Sequence, residues 1–430
     1  MEKNLSERDR EVIWHPYSPQ KYAPDAIPIA KGEGVFLIGT DGRKYIDCIS
    51  SWWVTIHGHG HPYIAEKIYM QALQLEQVIF AGFTHEPAVL LAERLLPVLP
   101  GKFSKIFYSD NGSTAVEVAL KMAVQFWWNQ GITSRQKIFA FRNAYHGDTF
   151  GAMSVSGRSV FNAAFDAFMF EVIYLDIPAN NNLEDNKKLI DTHAGETACF
   201  IYEPLLQGAG GMNMYDPGEM DDLLGYVRDK AIICIADEVL TGFGRTGSLF
   251  AGDQLKHKAD IICLSKGLTG GTMAMGITAC TSAVHKAFQS DDRLKTFFHG
   301  HSFTANPIAC AAALASLDLL LDDNCRQRIQ TINKKHLDFA SRLKSAELPE
   351  GSILNVRVLG TIIAFELNTR EKNYLNQSGR ALSTKAMEHS VFLRPLGNTV
   401  YLMPPYCITE DQLETVYKVM ISLLQQKTAD

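Results

Sequence analysis

A chain of 430 residues is too long for one ordinary core, and 46% hydrophobic with 20% charged residues reads as a globular, soluble protein of two domains. A net charge of −6 gives no reason to expect a nucleic-acid partner or an anionic membrane, and no apolar run approaches the length of a membrane span. The polar start Met1–Arg8 has no signal-peptide core, and eight scattered cysteines form no Cys-x-x-Cys pair, so reduced thiols and a cytoplasmic location are expected.

Residues 1–58 read as a small strand-bearing segment. Trp14-His15-Pro16-Tyr17 lies in a proline-punctuated loop, and residues 34–47 read as strand, Asp-Gly turn, strand. Trp52 and Trp53 are adjacent and cannot share one face of a strand, so one of them is expected to face a pocket or an interface. His57-Gly58-His59-Gly60-His61 would place three imidazoles on one face of a strand. The glycines and Pro62 argue for a loop, and no cysteine or acid completes a ligand set, so no metal is expected.

Residues 59–325 alternate helical and strand patterns. Helices are predicted over 64–77, 86–99, 115–129 and 308–321, with Trp127 and Trp128 in the packing of the third. Strands are predicted over 105–108, 138–141, 171–175, 199–202, 232–237 and 261–264. That alternation predicts a doubly wound, mostly parallel α/β sheet. Residues 326–430 change character. A helix over 326–345, strands over 356–366 and 391–403 (the second broken at Pro395–Asn398) and a closing helix over 409–426 predict a smaller α+β domain packed with the N-terminal segment.

The chemistry concentrates at strand ends. One apolar run ends on Asp237, and another, Ile261–Leu264, is followed by Lys266. In a parallel sheet both would meet in the crevice beyond the carboxyl ends of the strands. An acid and a lysine brought together suit pyridoxal phosphate: the lysine condenses with the aldehyde and the acid keeps the pyridine nitrogen protonated. Gly112 and Ser113, between a strand and a helix, offer free N–H groups and a hydroxyl for a phosphate. Tyr145, after another strand, could stack on the ring. Gly242-Phe243-Gly244-Arg245-Thr246-Gly247 matches G-x-G-x-x-G and keeps a rival reading open, a dinucleotide-dependent oxidoreductase or a plain nucleotide-binding protein. Against it stand the nearby acids Asp237 and Glu238, the bulk of Phe243 and Arg245, and the lack of a following helix. A structured loop placing Arg245 near the site is the simpler expectation. Arg394, before a Pro-Leu-Gly turn, suits a bidentate clamp on a carboxylate, or an ordinary surface ion pair.

Taken together, Asn111-Gly112-Ser113, Tyr145-His146-Gly147, Glu203-Pro204, Ala236-Asp237-Glu238-Val239, Gly242–Gly247 and Ser265-Lys266-Gly267 resemble the class III pyridoxal-phosphate aminotransferases of fold type I, essentially end to end. Trp14–Tyr17, Ser50–Trp53, Tyr145–Val155 and Gln207–Met212 narrow the resemblance to the branch serving biotin synthesis. It implies transfer of an amino group to 8-amino-7-oxononanoate, with S-adenosylmethionine as the usual donor and lysine as the alternative. Relatives acting on ω-amino groups often carry a Gly-Glu pair shortly after Glu-Pro, which Gln207-Gly208-Ala209-Gly210 lacks; another class III enzyme stays the competitor. The resemblance also implies roles. Lys266 is the Schiff-base lysine and proton shuttle, and Asp237 pairs with the pyridinium nitrogen. Gly112 and Ser113 hold the phosphate, helped by His301 and Ser302 from the second subunit of a homodimer with a shared active site. Gly300-His301-Ser302 departs there from the more familiar Gly-Pro-Thr. Tyr145 stacks on the ring. Tyr17, Trp52, Trp53 and Gly300 line the substrate pocket, Arg394 takes the carboxylate with Tyr401 nearby, and Tyr17 and Asp148 help recognise the donor.

Overall fold

The computed structural model describes residues 3–426 apart from 180, 347, 350 and 370–373. Its centre is a seven-stranded sheet. Across it lie, in order, Phe103–Ser109, Gly276–Thr281, Ile261–Leu264, Ile233–Asp237, Thr197–Tyr202, Lys137–Phe141 and Ile173–Leu175. The three central strands, Ile261–Leu264, Ile233–Asp237 and Thr197–Tyr202, are buried along their whole length, as continuous Ile, Cys, Ala and Phe runs require when helices cover both faces.

All neighbours are parallel except around Gly276–Thr281, which runs against both Ile261–Leu264 and Phe103–Ser109. This strand is not legible in the sequence. The helix Gly112–Asn129 crosses the sheet and is the best-founded of the connecting helices. Asn111 caps it, accepting from the Thr114 N–H at 3.0 Å, while Thr114 Oγ1 accepts from the Asn111 N–H at 3.1 Å. Such a cap stabilises a helix by about 1 kcal/mol. Trp127 packs inward and donates from Nε1 to the Ala198 carbonyl at 2.9 Å. Trp128 faces outward, so only one of the pair belongs to the packing.

The predicted N-terminal hairpin is present as Phe36–Gly39 and Lys44–Asp47, extended by Ile29–Glu33. Val391–Phe392 adds to its edge, pairing Val391 with Ile46 and Phe392 with Asp47, so the two ends of the chain share a sheet. The strand expected over 356–366 is two, Ile353–Leu359 and Ile362–Leu367, joined by a tight turn at Gly360 with φ 57°. The expected 391–403 strand divides between sheets, because Thr399–Leu402 pairs with Ile362–Leu367 instead. A first helix, Leu5–Val12, is absent from the sequence-based expectation; it buries no residue and so carries no apolar stripe. Among the described residues no helix is long and apolar enough to cross a membrane.

Candidate active site

The carboxyl ends of the central strands open into a cleft of about 650 Å³ that brings together Asp237, Lys266, Gly112, Ser113, Tyr145, Asp148 and Trp53. Asp237 ends its strand and is buried. His146 Nδ1 donates to its Oδ2 at 2.7 Å, and the Val239 N–H donates to Oδ1 at 3.0 Å. His146 Nε2 is buried with no partner. Lys266 follows the neighbouring strand in the left-handed region at φ 46°, a strained setting for a side-chain-bearing residue. Its Nζ stands 4.5 Å from the centroid of the Trp53 ring. Burial pushes its ammonium down to about 8. Asp237 and Glu203 oppose that shift, and the Arg245 charge adds to it.

Glu203 is a further buried acid in the cleft. Its two oxygens accept from the Tyr145 N–H at 3.0 Å and the Gly208 N–H at 2.9 Å, joining two loops of the wall. Burial raises its carboxyl to about 7, assisted by Asp237 and opposed by His146.

Gly112 and Ser113 open the helix whose first N–H groups face the cleft. A Cβ on Gly112 would lie 2.7 Å from Val239 Cγ1, and one on Gly147 would lie 2.1 Å from Ser113 Oγ. Only glycine fits either place, so the chain packs closely around a helix N-terminus that faces the cleft, which suits a phosphate. Ser113 Oγ accepts from the Asp148 N–H at 3.2 Å, leaving its own proton free to donate. A buried lysine and a buried acid over this cradle fit pyridoxal phosphate.

The rim is aromatic. Tyr17 is left-handed at φ 53°; its hydroxyl donates to the Asp148 carboxylate and lies 3.4 Å from that of Tyr145. Burial and the Asp148 contact push the Tyr17 phenol up to about 12. Trp52 meets Tyr17 edge-on at 5.4 Å, and the Arg394 guanidinium sits 4.4 Å over the Trp52 ring. The two tryptophans divide: Trp52 is exposed and is not among the residues lining the cleft, while Trp53 lines it, is buried and donates from Nε1 to Tyr401 Oη at 2.8 Å. Tyr401 therefore stands behind Trp53 and is not among the residues lining the cleft.

Gly300, His301 and Ser302 do not line this cleft either. Their loop is held elsewhere, with Gln77 donating to the Ser302 carbonyl and the His301 N–H donating to Thr304 Oγ1 at 3.1 Å. Arg245 stands near the site, as expected, without lining it. It is buried beside the cleft, donates from Nη1 to the Pro404 carbonyl at 3.0 Å and covers the Tyr406 ring. It reaches Lys266 by charge and not by lining the site. The surrounding loop also shows why the dinucleotide reading fails. The N–H groups of Gly242, Gly244 and Gly247 already donate to Glu238, Leu249 and Gly244 carbonyls, so none of the three glycines is left to cradle a pyrophosphate. The histidine run splits between partners: His57 contacts Ser316 and meets the His61 ring edge-on at 6.3 Å, while His59 contacts Asp47.

The sequence-family description Aminotransferase class-III matches residues 17–424. The chain belongs to the class III aminotransferases. A protein of Synechococcus elongatus described as adenosylmethionine-8-amino-7-oxononanoate aminotransferase is 46% identical over 424 residues, covering 96% of this chain and 98% of that one. The crystal structure of the like-named protein of Methanocaldococcus jannaschii superposes with TM-score 0.94 at 34% identity, covering 98% of both chains. An amine transaminase from an uncultivated Pseudomonas species, solved in its PLP-bound form, superposes with TM-score 0.89 at 28% identity over 96% of this chain and 98% of that one.

Within this class III site, sequence reasoning misses what His146 and Glu203 do. Both stand in legible motifs, Tyr145-His146-Gly147 and Glu203-Pro204, but nothing in the sequence places either beside Asp237 or Tyr145. Phe161 and Tyr374, which extend the aromatic rim, carry no sequence signal.

Proposed function

We propose that this chain transfers an amino group from S-adenosylmethionine to 8-amino-7-oxononanoate, giving 7,8-diaminononanoate for biotin synthesis, with pyridoxal phosphate as the carrier between two half-reactions. The observation that carries the reading is the meeting of Lys266 and Asp237 at adjacent strand ends in one buried cleft, over a glycine-kept helix N-terminus. When bound, pyridoxal phosphate supplies an electron sink for the carbon that loses its proton.

The chain's own residues do the rest. Gly112 and Ser113 bind the phosphate through N–H groups and a hydroxyl. Asp237, fixed by His146, holds a proton on the pyridine nitrogen, and the buried His146–Asp237 pair excludes water there. Lys266 is the proton carrier. With its ammonium lowered to about 8, a useful fraction of Nζ is neutral near neutral pH and takes the proton from the substrate carbon. The face of Trp53 receives the resulting ammonium, 4.5 Å away, until it returns the proton. Tyr145, whose N–H is held by Glu203, would cover the cofactor ring. Arg394 binds the carboxylate of the keto acid, and Tyr17 and Asp148 orient the amino donor. Both substrates pass the same rim because aromatic faces accept a sulfonium cation and an alkyl chain alike. In this reading Gly300, His301 and Ser302 serve the site of a second copy in a homodimer, residues 1–58 and 326–430 form a small domain over the large one of 59–325, and the enzyme works in the cytoplasm.

The test follows the visible spectrum of the pyridoxal-phosphate-loaded protein. The cofactor band should bleach on adding S-adenosylmethionine and return with 8-amino-7-oxononanoate. A band that ignores S-adenosylmethionine but bleaches with lysine would replace the donor. No band at all would overturn the roles given to Lys266 and Asp237.

A further inference from the structure

Two chemically different cavities lie outside the reacting centre. One is the outer groove, where Arg394 stands without an ion-pair partner among the described residues, suited to a carboxylate. The other is a side chamber of about 340 Å³ that shares Tyr145, Gly147 and Asp148 with the cleft. That volume is of the size that holds one flat ligand group.

The chamber's chemistry disfavours an anion. Its one arginine among the lining residues, Arg158, is engaged at all three of its nitrogens. Nε faces Asp166 at 2.9 Å, Nη1 donates to the Ser154 carbonyl at 3.0 Å and to Tyr174 Oη at 2.9 Å, and Nη2 donates to the Phe170 carbonyl at 3.4 Å. The threshold carries the Asp148 carboxylate, which favours a positive charge just outside the chamber. The wall is aromatic: Phe161 and Tyr374 lie 4.4 Å apart at 63°, and Phe161 also meets Tyr17 at 5.9 Å and Tyr145 at 6.3 Å. Phe161 thus links the chamber wall to the ring-covering tyrosine. The combination suits a flat, uncharged aromatic group attached to a cationic centre.

We propose that this chamber holds the adenosyl group of the amino donor, with the adenine against Phe161 and Tyr374 and the sulfonium beside Asp148, while the carboxylate of the keto acid reaches Arg394 in the outer groove. Phe161 is then a specificity-determining residue for one substrate of two. The proposal rests on the donor assigned above.

The experiment uses the loaded enzyme, with each half-reaction followed separately and free adenosine as an added probe. Phe161→Leu keeps apolar bulk and removes the aromatic face. Stacking of a base on a ring leads us to expect the donor's half-saturation concentration to rise roughly tenfold or more. That of the keto acid should move far less. Adenosine should compete with the donor in the wild type and lose that competition in the variant. Equal change in both half-reactions would make Phe161 merely structural and overturn the proposal, as would adenosine that does not compete in a wild type that does accept S-adenosylmethionine. A wild type discharged by lysine and not by S-adenosylmethionine would overturn the donor itself, and the chamber's assignment with it.

Discussion

At the floor of the cleft, Asp237 and Lys266 stand at the ends of strands buried on both faces, and His146, Glu203 and Trp53 fix or surround them. At the rim, Tyr17 and Arg394 stand on loops and Trp52 in the short kinked turn Ser50–Trp53; they touch one another through aromatic edge and cation–ring contacts, with Tyr17 and Trp52 exposed. The floor is held by backbone pairing and charge-assisted hydrogen bonds, which tolerate little displacement. The rim is held by weaker, broader aromatic contacts, which can rearrange for two unlike substrates. Where a cleft must do one chemistry on two ligands, the chemistry belongs on the sheet and the choice of ligand on the loops.

Substitutions can break this comparison, and the largest effect is expected at the floor. Lys266→Ala removes both the covalent anchor and the proton carrier. It should lower turnover by at least ~10⁴-fold and abolish the mass increment left by borohydride reduction with pyridoxal phosphate; an unchanged increment would place the anchor elsewhere. Asp237→Asn keeps the shape and removes the charge. The expected fall in kcat is ~10²–10³-fold, the scale of losing one preorganised electrostatic contact, with cofactor affinity altered less. Arg394→Ala acts at the rim, so its effect should appear in one substrate only. KM for 8-amino-7-oxononanoate should rise ~10- to 100-fold, the worth of a hydrogen-bonded charge pair, while the donor half-reaction keeps its rate. If both half-reactions suffer equally, floor and rim are not separable.

A pH series sharpens the comparison without a mutation. The neutral amine of Lys266 is the species that captures pyridoxal phosphate. The capture rate of stripped protein should therefore climb about tenfold per pH unit below about 8 and flatten above it. A rate still climbing near the ordinary lysine value would remove the effect of burial. The same shift has a sign for stability. Between about 8 and the ordinary lysine value the unfolded chain binds the extra proton, so the stripped protein gains stability as pH rises through that window. The smallest effect is reserved for Trp53→Phe. It loses the hydrogen bond to Tyr401, worth about 1 kcal/mol in a denaturant titration, while keeping a ring face for Lys266.

The floor is largely legible in the sequence, because a short apolar run that ends on a single charged residue marks a buried strand delivering that residue to the sheet's carboxyl edge. Asp237 and Lys266 fall in one crevice on that ground, and Gly112 and Ser113 join them as a helix start following a strand. The strand Gly276–Thr281 is not legible, since Gly-Ile-Thr-Ala-Cys-Thr is neither strongly apolar nor alternating, although its first five residues are buried. The turn at Gly360 escapes notice because the apolar pattern continues through it. The motif around Arg245 draws it to the site; only the fold shows its guanidinium committed to Pro404 and Tyr406. Contacts between residues far apart in the chain, such as His146 with Asp237 or Phe161 with Tyr374, leave no trace in local composition.

The antiparallel strand has one more implication, for anyone who would re-engineer the enzyme. Because Gly276–Thr281 runs backward, the chain leaves the sheet at Leu264, carries Lys266 and re-enters beside the same strand, with Ile277 paired to Leu264. Ser265 Oγ donates to the Met275 carbonyl at 2.6 Å and closes the base of this excursion. A parallel return would have needed a crossover of a dozen residues or more, with room to absorb length changes. Here the lysine rides on a loop of fixed circumference. Inserting or deleting a residue between 266 and 275 would move the reactive amine by up to ~3.5 Å, so grafting the site onto another scaffold means transplanting the hairpin whole.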